Sequence, residues 1–151
     1  MEADKAYQRA NHLLFVTFPL LKNKNLLIKI THEIKNSITK TIVAVLQYEY
    51  LCKRIKITPD PERNFQIFEE ECAKKYDITQ KDLEQIRALF ELTKKQKESV
   101  MDIMKNEKVI VVSKNMEHET ITPEKVREFL EISKKIFQKT KEYIIKERKS
   151  R

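Results

Sequence analysis

The sequence contains no glycine and no tryptophan among its 151 residues. Loops that cradle a phosphate need glycine where the backbone approaches the anion or adopts a positive φ. This composition therefore excludes a P-loop, a dinucleotide-binding fingerprint and a nucleophile elbow. Every turn has to be made by Asn, Asp, Pro or Lys instead.

Cysteine and histidine are also scarce. Cys52 and Cys72 fall on apolar stripes of different predicted helices, which is typical of buried, reduced thiols. A disulfide framework would need more cysteines in a shorter chain. The histidines are His12, His32 and His118, and no two of them have the i, i+4 spacing of a helical metal site. We therefore expect no metal, no cofactor and no enzymatic activity.

Long apolar runs are missing as well. The longest, residues 13–21, is too short to span a bilayer. Residues 1–5 are charged and lack the basic-then-apolar order of a signal peptide. We expect a cytoplasmic protein without a membrane partner.

Helical periodicity is the dominant positive feature of the sequence. No proline interrupts residues 26–57, which make a rod of about 45 Å at roughly 1.5 Å per residue. Shorter helices have to pack along such a rod. Its apolar positions recur every three or four residues, and they are Leu27, Ile30, Ile34, Ile38, Thr41, Val45, Tyr48, Cys52 and Ile55.

Two further helices are predicted close to this rod. The first covers residues 3–18 and is bent or ended by Pro19. The polar link at residues 22–25 is short, so this helix should run antiparallel to the rod. A short helix covers residues 61–76 after the Pro-rich breaker at 58–61.

Two long helices complete the helical pattern. One covers residues 80–106 and begins with a capping box of Thr79 and Asp82. Its polar middle, residues 93–99, is typical of exposure, of a bend or of a cleft, and exposure is the commonest. The other covers residues 123–147 after a Thr122 N-cap and Pro123, and residues 146–151 are expected to fray.

Between these two helices, the spacing of the apolar residues changes from that of a helix to that of a β-strand. Residues 109–112 are β-branched, and residues 119–121 mirror them, which predicts a two-stranded hairpin or an extended loop. The predicted fold is all-α. It is one domain, 1–151, built as an antiparallel bundle of four long helices plus one short helix, with a small β-hairpin or extended loop before the last helix.

Positive charge is concentrated at the C-terminal end of a chain whose net charge is +8. Residues 134–151 contain eight basic and two acidic residues, so their net charge is +6. Such an end can attract phosphates through counterion release, or it can be a solvated helix end that suits the negative end of the dipole. The candidate nucleic-acid contacts are Lys134, Lys135, Lys139, Lys141, Lys146, Arg148 and Lys149.

The helical run at residues 42–55 resembles the HEPN superfamily (higher eukaryotes and prokaryotes nucleotide-binding), particularly its archaeal-type members. The order of elements, and the link from 109–113 through 120–122 into the last helix, add to the resemblance. Ribonucleases of that family carry an Arg and a His separated by four to six residues on one helix. Arg9 and His12 are separated by only two. The resemblance thus implies a non-catalytic member that forms a homodimer and is associated with RNA or nucleotides.

Three functional hypotheses follow. The leading one is a non-enzymatic interaction domain that contacts RNA or a nucleotide through its basic C-terminal helix. The second is a purely structural bundle that binds a protein partner. The third is a divergent ribonuclease that uses Arg9 and His12.

Overall fold

The long helix lies at the centre of the fold. The computed structural model describes residues 2–18 and 23–150. Two helices continue directly into π-helical turns: α1 (Glu2–His12) into Leu13–Thr17, and α3 (Pro61–Ile67) into Phe68–Cys72. The other elements are α2 (Lys24–Leu51), α4 (Gln80–Lys97), β1 (Met101–Lys105), β2 (Lys108–Val112), β3 (His118–Ile121) and α5 (Pro123–Lys149).

The predicted helical bundle is confirmed in its coarse form. Five helices and a small antiparallel sheet before the last helix make up the described residues. Two details differ from the prediction. Helix α1 has only 11 residues before its π-helical turn, and the hairpin is part of a three-stranded sheet.

The apolar stripe of α2 forms the core, as its periodicity predicted. Leu27, Ile30, Ile34 and Ile38 are completely buried. Alanines on α1 allow that helix to approach α2 closely. A buried chain of hydroxyls then joins three helices, because Ser133 on α5 donates to Ser37 on α2, and Ser37 donates to the Ala3 carbonyl on α1, both at 2.9 Å.

Helix α2 ends at Leu51, six residues before the end that the sequence predicted. Lys53 adopts a left-handed conformation with φ of 60°. Its N–H donates to the Tyr50 carbonyl, and the Arg54 N–H donates to the Glu49 carbonyl. These two bonds are the Schellman arrangement that ends many helices, usually with glycine at the left-handed position. The chain has no glycine, so Lys53 occupies the left-handed position.

Helix α4 ends at Lys97, and the prediction that it extends to residue 106 is wrong. Residues 101–105 form β1 instead, which pairs antiparallel with β2 in the register Ile103↔Ile110. A two-residue turn joins the strands, with positive φ at both Asn106 and Glu107. This is the backbone of a type I′ hairpin, whose usual sequence signal is Asn-Gly or Asp-Gly.

On each edge strand of the sheet, one backbone carbonyl accepts a hydrogen bond from a lysine of a neighbouring helix. The sheet order is β1-β2-β3, so β1 and β3 are its edges. Lys24 donates to the Asp102 carbonyl at 2.9 Å, and Lys125 donates to the Thr120 carbonyl at 3.0 Å. A lysine placed against an edge strand hinders its pairing with another strand.

The remaining boundaries lie close to their predictions. The capping box of Thr79 and Asp82 is present, and Thr122 caps α5. Helix α5 extends to Lys149, so residues 146–149 of the expected tail are helical. The predicted end or kink at Pro19 lies outside the described residues. None of the described helices combines the length and the apolar character that a membrane crossing requires.

Candidate nucleic-acid interface

The structure divides the basic residues predicted on the last helix into two groups. Lys135 Nζ lies 3.0 Å from Asp82 Oδ1, and Lys139 Nζ lies 3.4 Å from Asp77 Oδ2. Although burial opposes ionisation of Asp82, hydrogen bonds from Lys135 and Thr79 hold its pKa below the ordinary value. These two lysines hold α5 against the start of α4. The second group is exposed and forms no ion pair within residues 2–18 and 23–150: Lys134, Lys141, Lys146, Arg148 and Lys149.

A buried carboxylate lies at the end of α2. The Glu49 side chain is 0% exposed, and its Oε2 lies 2.9 Å from Arg54 Nη1. Its Oε1 lies 3.1 Å from Lys75 Nζ. A buried charge has to be paired to be tolerated, and the left-handed turn at Lys53 is what folds Arg54 back onto Glu49.

Arg54 also connects α2 to the last turns of α5. Its Nη2 forms an ion pair with Glu147 Oε1. The same carboxylate oxygen accepts a hydrogen bond of 2.9 Å from the Tyr48 hydroxyl. Beside it, the rings of Tyr143 and Tyr76 pack with centroids 4.1 Å apart. The segment after α2 therefore lies against the C-terminal turns of α5.

This network controls the ionisation of several of its members. Hydrogen bonds from Arg54 and Tyr143 lower the pKa of Glu147 to about 2. Burial, and then the charge of Glu49, raise the pKa of the Cys72 thiol to about 11. Cys72 carries a free, buried thiol. Because the thiolate is the nucleophilic form, Cys72 is unreactive near neutral pH.

The lowered pKa of Glu147 predicts an acid-dependent loss of stability. The ordinary pKa is 4.5 and the folded one about 2, so the contribution of Glu147 is complete above pH 4.5 and is lost as the pH falls towards 2. Urea unfolding of Glu147→Gln should show a deficit against wild type at pH 7 that narrows below pH 4.5. A deficit of constant size across this range would contradict the assignment.

A cationic pocket of about 460 Å³ follows the end of α2. Lys53 and Lys56 in its wall form no ion pair in the described part of the chain, while Arg63 Nη1 lies 3.9 Å from Glu70. Arg54 lines the pocket and also forms the ion pair with Glu147. The pocket therefore adjoins the end of α5. Four cations and one acid are among its lining residues, which are Lys53, Arg54, Ile55, Lys56, Thr58, Arg63, Ile67 and Glu71.

An exposed aromatic side chain precedes this pocket. Tyr50 is 54% exposed and Leu51 is 76% exposed, on the last turn of α2. The helical period of residues 26–57 conceals this region, because it predicts Lys53, Arg54 and Lys56 on the surface of a continuing helix. The signal that could have revealed it is the local basic run at residues 53–56.

The structure does not bring the histidines together. Arg9 Nε donates to Glu33 Oε2 at 3.1 Å, and the exposed His12 forms no hydrogen bond with Arg9. His32 hydrogen-bonds Gln96 over 2.6 Å, and His118 is exposed on β3. Among the residues that the structure describes, no group of three or more His, Cys, Asp or Glu side chains could hold a metal ion.

Comparison of the chain with protein-family models, with curated proteins and with solved structures finds no match.

Proposed function

We propose that the protein is a non-enzymatic, HEPN-like helical-bundle domain that binds RNA at one end. We call this surface the cationic end, and define it as Lys53, Lys56, Arg63, Lys146, Arg148 and Lys149. The Arg54–Glu147 ion pair is the observation that most supports the proposal. It joins residues 93 apart in sequence, and so brings two separate basic segments to the same end of the molecule.

The composition of the cationic end favours a single strand of RNA. Lysines act as point charges for phosphates, and their binding releases condensed counterions. The exposed ring of Tyr50 can stack on an unpaired base, which a duplex does not offer. Lys135 and Lys139 do not belong to the interface, because they bind Asp82 and Asp77.

Neutralising Lys53 and Lys56 should weaken RNA binding and reduce its salt dependence. We expect Lys53→Gln with Lys56→Gln to make the negative slope of log K against log salt less steep by about 1.4, since each single-strand phosphate contact contributes roughly −0.7. Fluorescence anisotropy with a labelled single-stranded RNA at several salt concentrations measures this slope. A DNA strand of the same sequence tests the preference for RNA.

The matched control removes the same charge at the end of β1 and in the turn between β2 and β3. Lys105→Gln with Lys114→Gln changes two exposed lysines far along the chain from the cationic end, and it should leave the slope unchanged. If both double variants make the slope less steep by the same amount, binding reflects net charge alone. If wild type binds no nucleic acid, a protein partner becomes the better hypothesis. Cleavage of RNA that His12→Ala abolishes would favour the ribonuclease instead.

We also propose that the protein forms a homodimer. The support is the outer face of the sheet, where Met101 and Ile103 are 57% and 42% exposed. A lysine lies against each edge strand, so this face, rather than an edge, would meet the second copy. Light scattering that gives a monomer at every concentration would remove this part of the proposal.

A further inference from the structure

The cationic pocket combines exposed charges with apolar residues of the core. Ile55 and Ile67 line it, and they are only 9% and 4% exposed. The four cations and Glu71, which also line it, are all exposed. A recess lined mainly by charges of one sign, with an apolar wall behind them, concentrates the electric field and attracts counter-ions. The pocket is therefore a better site for an anion than the open surface of a helix.

Two lysines of the pocket carry charge that is not offset within the described part of the chain. Lys53 and Lys56 form no ion pair there, whereas Arg63 lies 3.9 Å from Glu70. Two unpaired lysines match an anion with two charges. A phosphate monoester has a second pKa of about 6 and carries about −1.5 to −2 at pH 7, but a phosphodiester within a strand carries a single charge. The pocket therefore suits the phosphate at the end of a strand.

Arg54 adds a hydrogen-bond donor whose position is fixed. Its guanidinium donates to Glu49 Oε2 over 2.9 Å, pairs with Glu147, and lies 3.5 Å from the Tyr143 hydroxyl. A guanidinium has five N–H groups, and these three contacts do not use all of them. Because Arg54 also lines the pocket and is already held in place, it can donate to a phosphate oxygen at little cost in side-chain entropy.

The shape of the pocket also favours the end of a strand. Its volume of about 460 Å³ lies in the range of small-molecule sites. A terminal phosphate can enter such a recess, whereas an internal phosphodiester has to continue in both directions. Tyr50 precedes Lys53 on the last turn of α2, and its carbonyl accepts the Lys53 N–H. Its exposed ring is therefore available to stack on a base that follows the terminal phosphate.

We propose, on the basis of the RNA binding proposed for the cationic end, that the cationic pocket takes the terminal phosphate monoester of a single-stranded RNA. Lys53 and Lys56 neutralise its two charges, and Arg54 donates a hydrogen bond to one of its oxygens. Glu71 also lines the pocket and opposes this binding. The protein thereby distinguishes RNA strands by their ends.

The test compares one uridine hexamer with different ends in an anisotropy competition assay. The ends are two hydroxyls, a 5′ monoester, a 3′ monoester, and each monoester blocked as its methyl ester. We expect a monoester to bind about tenfold more tightly than the hydroxyl-ended strand, because it gains hydrogen bonds between charged groups. The methyl ester removes the second charge and should lose most of this gain. Uridine monophosphate should compete less well than the monoester strand, because it lacks the further phosphates.

Two double variants locate the preference. Lys53→Gln with Lys56→Gln should abolish the preference for a monoester end. Lys146→Gln with Lys149→Gln removes the same charge from the cationic end outside the pocket, so it should weaken binding of every strand by the same factor and retain the preference. Glu71→Gln should strengthen binding of the monoester strand, because it removes the opposing charge.

The outcomes separate this site from RNA binding in general. If all strands bind wild type equally well, or if the methyl ester binds as tightly as the monoester, the terminal-phosphate site is overturned while RNA binding stands. Loss of the preference in the Lys146 and Lys149 double variant would also overturn it, as would equal competition by uridine monophosphate. If no strand binds wild type, both proposals fail together.

Discussion

Replacing Arg54 with methionine should destabilise the fold by clearly more than removal of an exposed cation does, because it takes one of two cationic partners from a buried carboxylate. The Glu49 side chain is 0% exposed, so water cannot replace the guanidinium. Lys75 alone would remain beside it, and Glu147 would lose its cation as well. Urea titration at neutral pH, with the m-value checked for constancy, measures the change.

Two comparisons make the Arg54 result specific. Glu49→Gln should cost less, because the Arg54 and Lys75 side chains are 30% and 36% exposed and can turn to water. Arg63→Met should change stability by no more than about 0.5 kcal/mol, since an exposed pair contributes little. The proposed role of the network fails if Arg54→Met is no worse than Arg63→Met.

Replacing Phe68 with alanine should cost about 3–5 kcal/mol, as for other large aromatic residues in a core. Phe68 is 0% exposed. It begins the π-helical turn after α3, and its ring stacks on Phe65 with centroids 6.1 Å apart. Loss of the ring would leave a cavity where α3 packs on α2. For a domain of this size we expect the unfolding temperature to fall by roughly 6–20 °C, measured by circular dichroism.

The chain offers the same substitution at an exposed site as a control. Phe15 is 52% exposed on the π-helical turn after α1. Phe15→Ala should therefore change stability by no more than about 0.5 kcal/mol. A similar loss in both variants would mean that Phe15 is covered in solution, for example by a second copy of the chain.

The parts of the fold that the sequence predicted well depend on near neighbours. The stripe of α2, the capping box of Thr79 and Asp82, and the Thr122 cap were all correct because periodicity and caps involve residues within a few positions. The strands at 108–112 and 118–121 were recognisable from their β-branched residues. The missed strand, β1, carries Ile103 and Met104 and directly follows Val100, and the spacing of these three residues also fits a helix.

The missing glycine explains two of the errors. A helix end and a hairpin turn were hidden because Lys53, Asn106 and Glu107 adopt positive φ where glycine is the usual signal. The candidate site was only partly predictable for another reason. Lys135 and Lys139 look the same as Lys134 and Lys141 in the sequence, and only packing against Asp82 and Asp77 distinguishes them.

The sequence by itself determined the helical class, the long central helix and the excess of positive charge, since composition and local period specify all three. Only the tertiary structure decided which cations form ion pairs and where α2 stops. The physical reason is the separation in sequence of the residues that come into contact. Arg54 meets Glu147 across 93 positions of chain, and no local pattern encodes the burial that gives such a contact its energy.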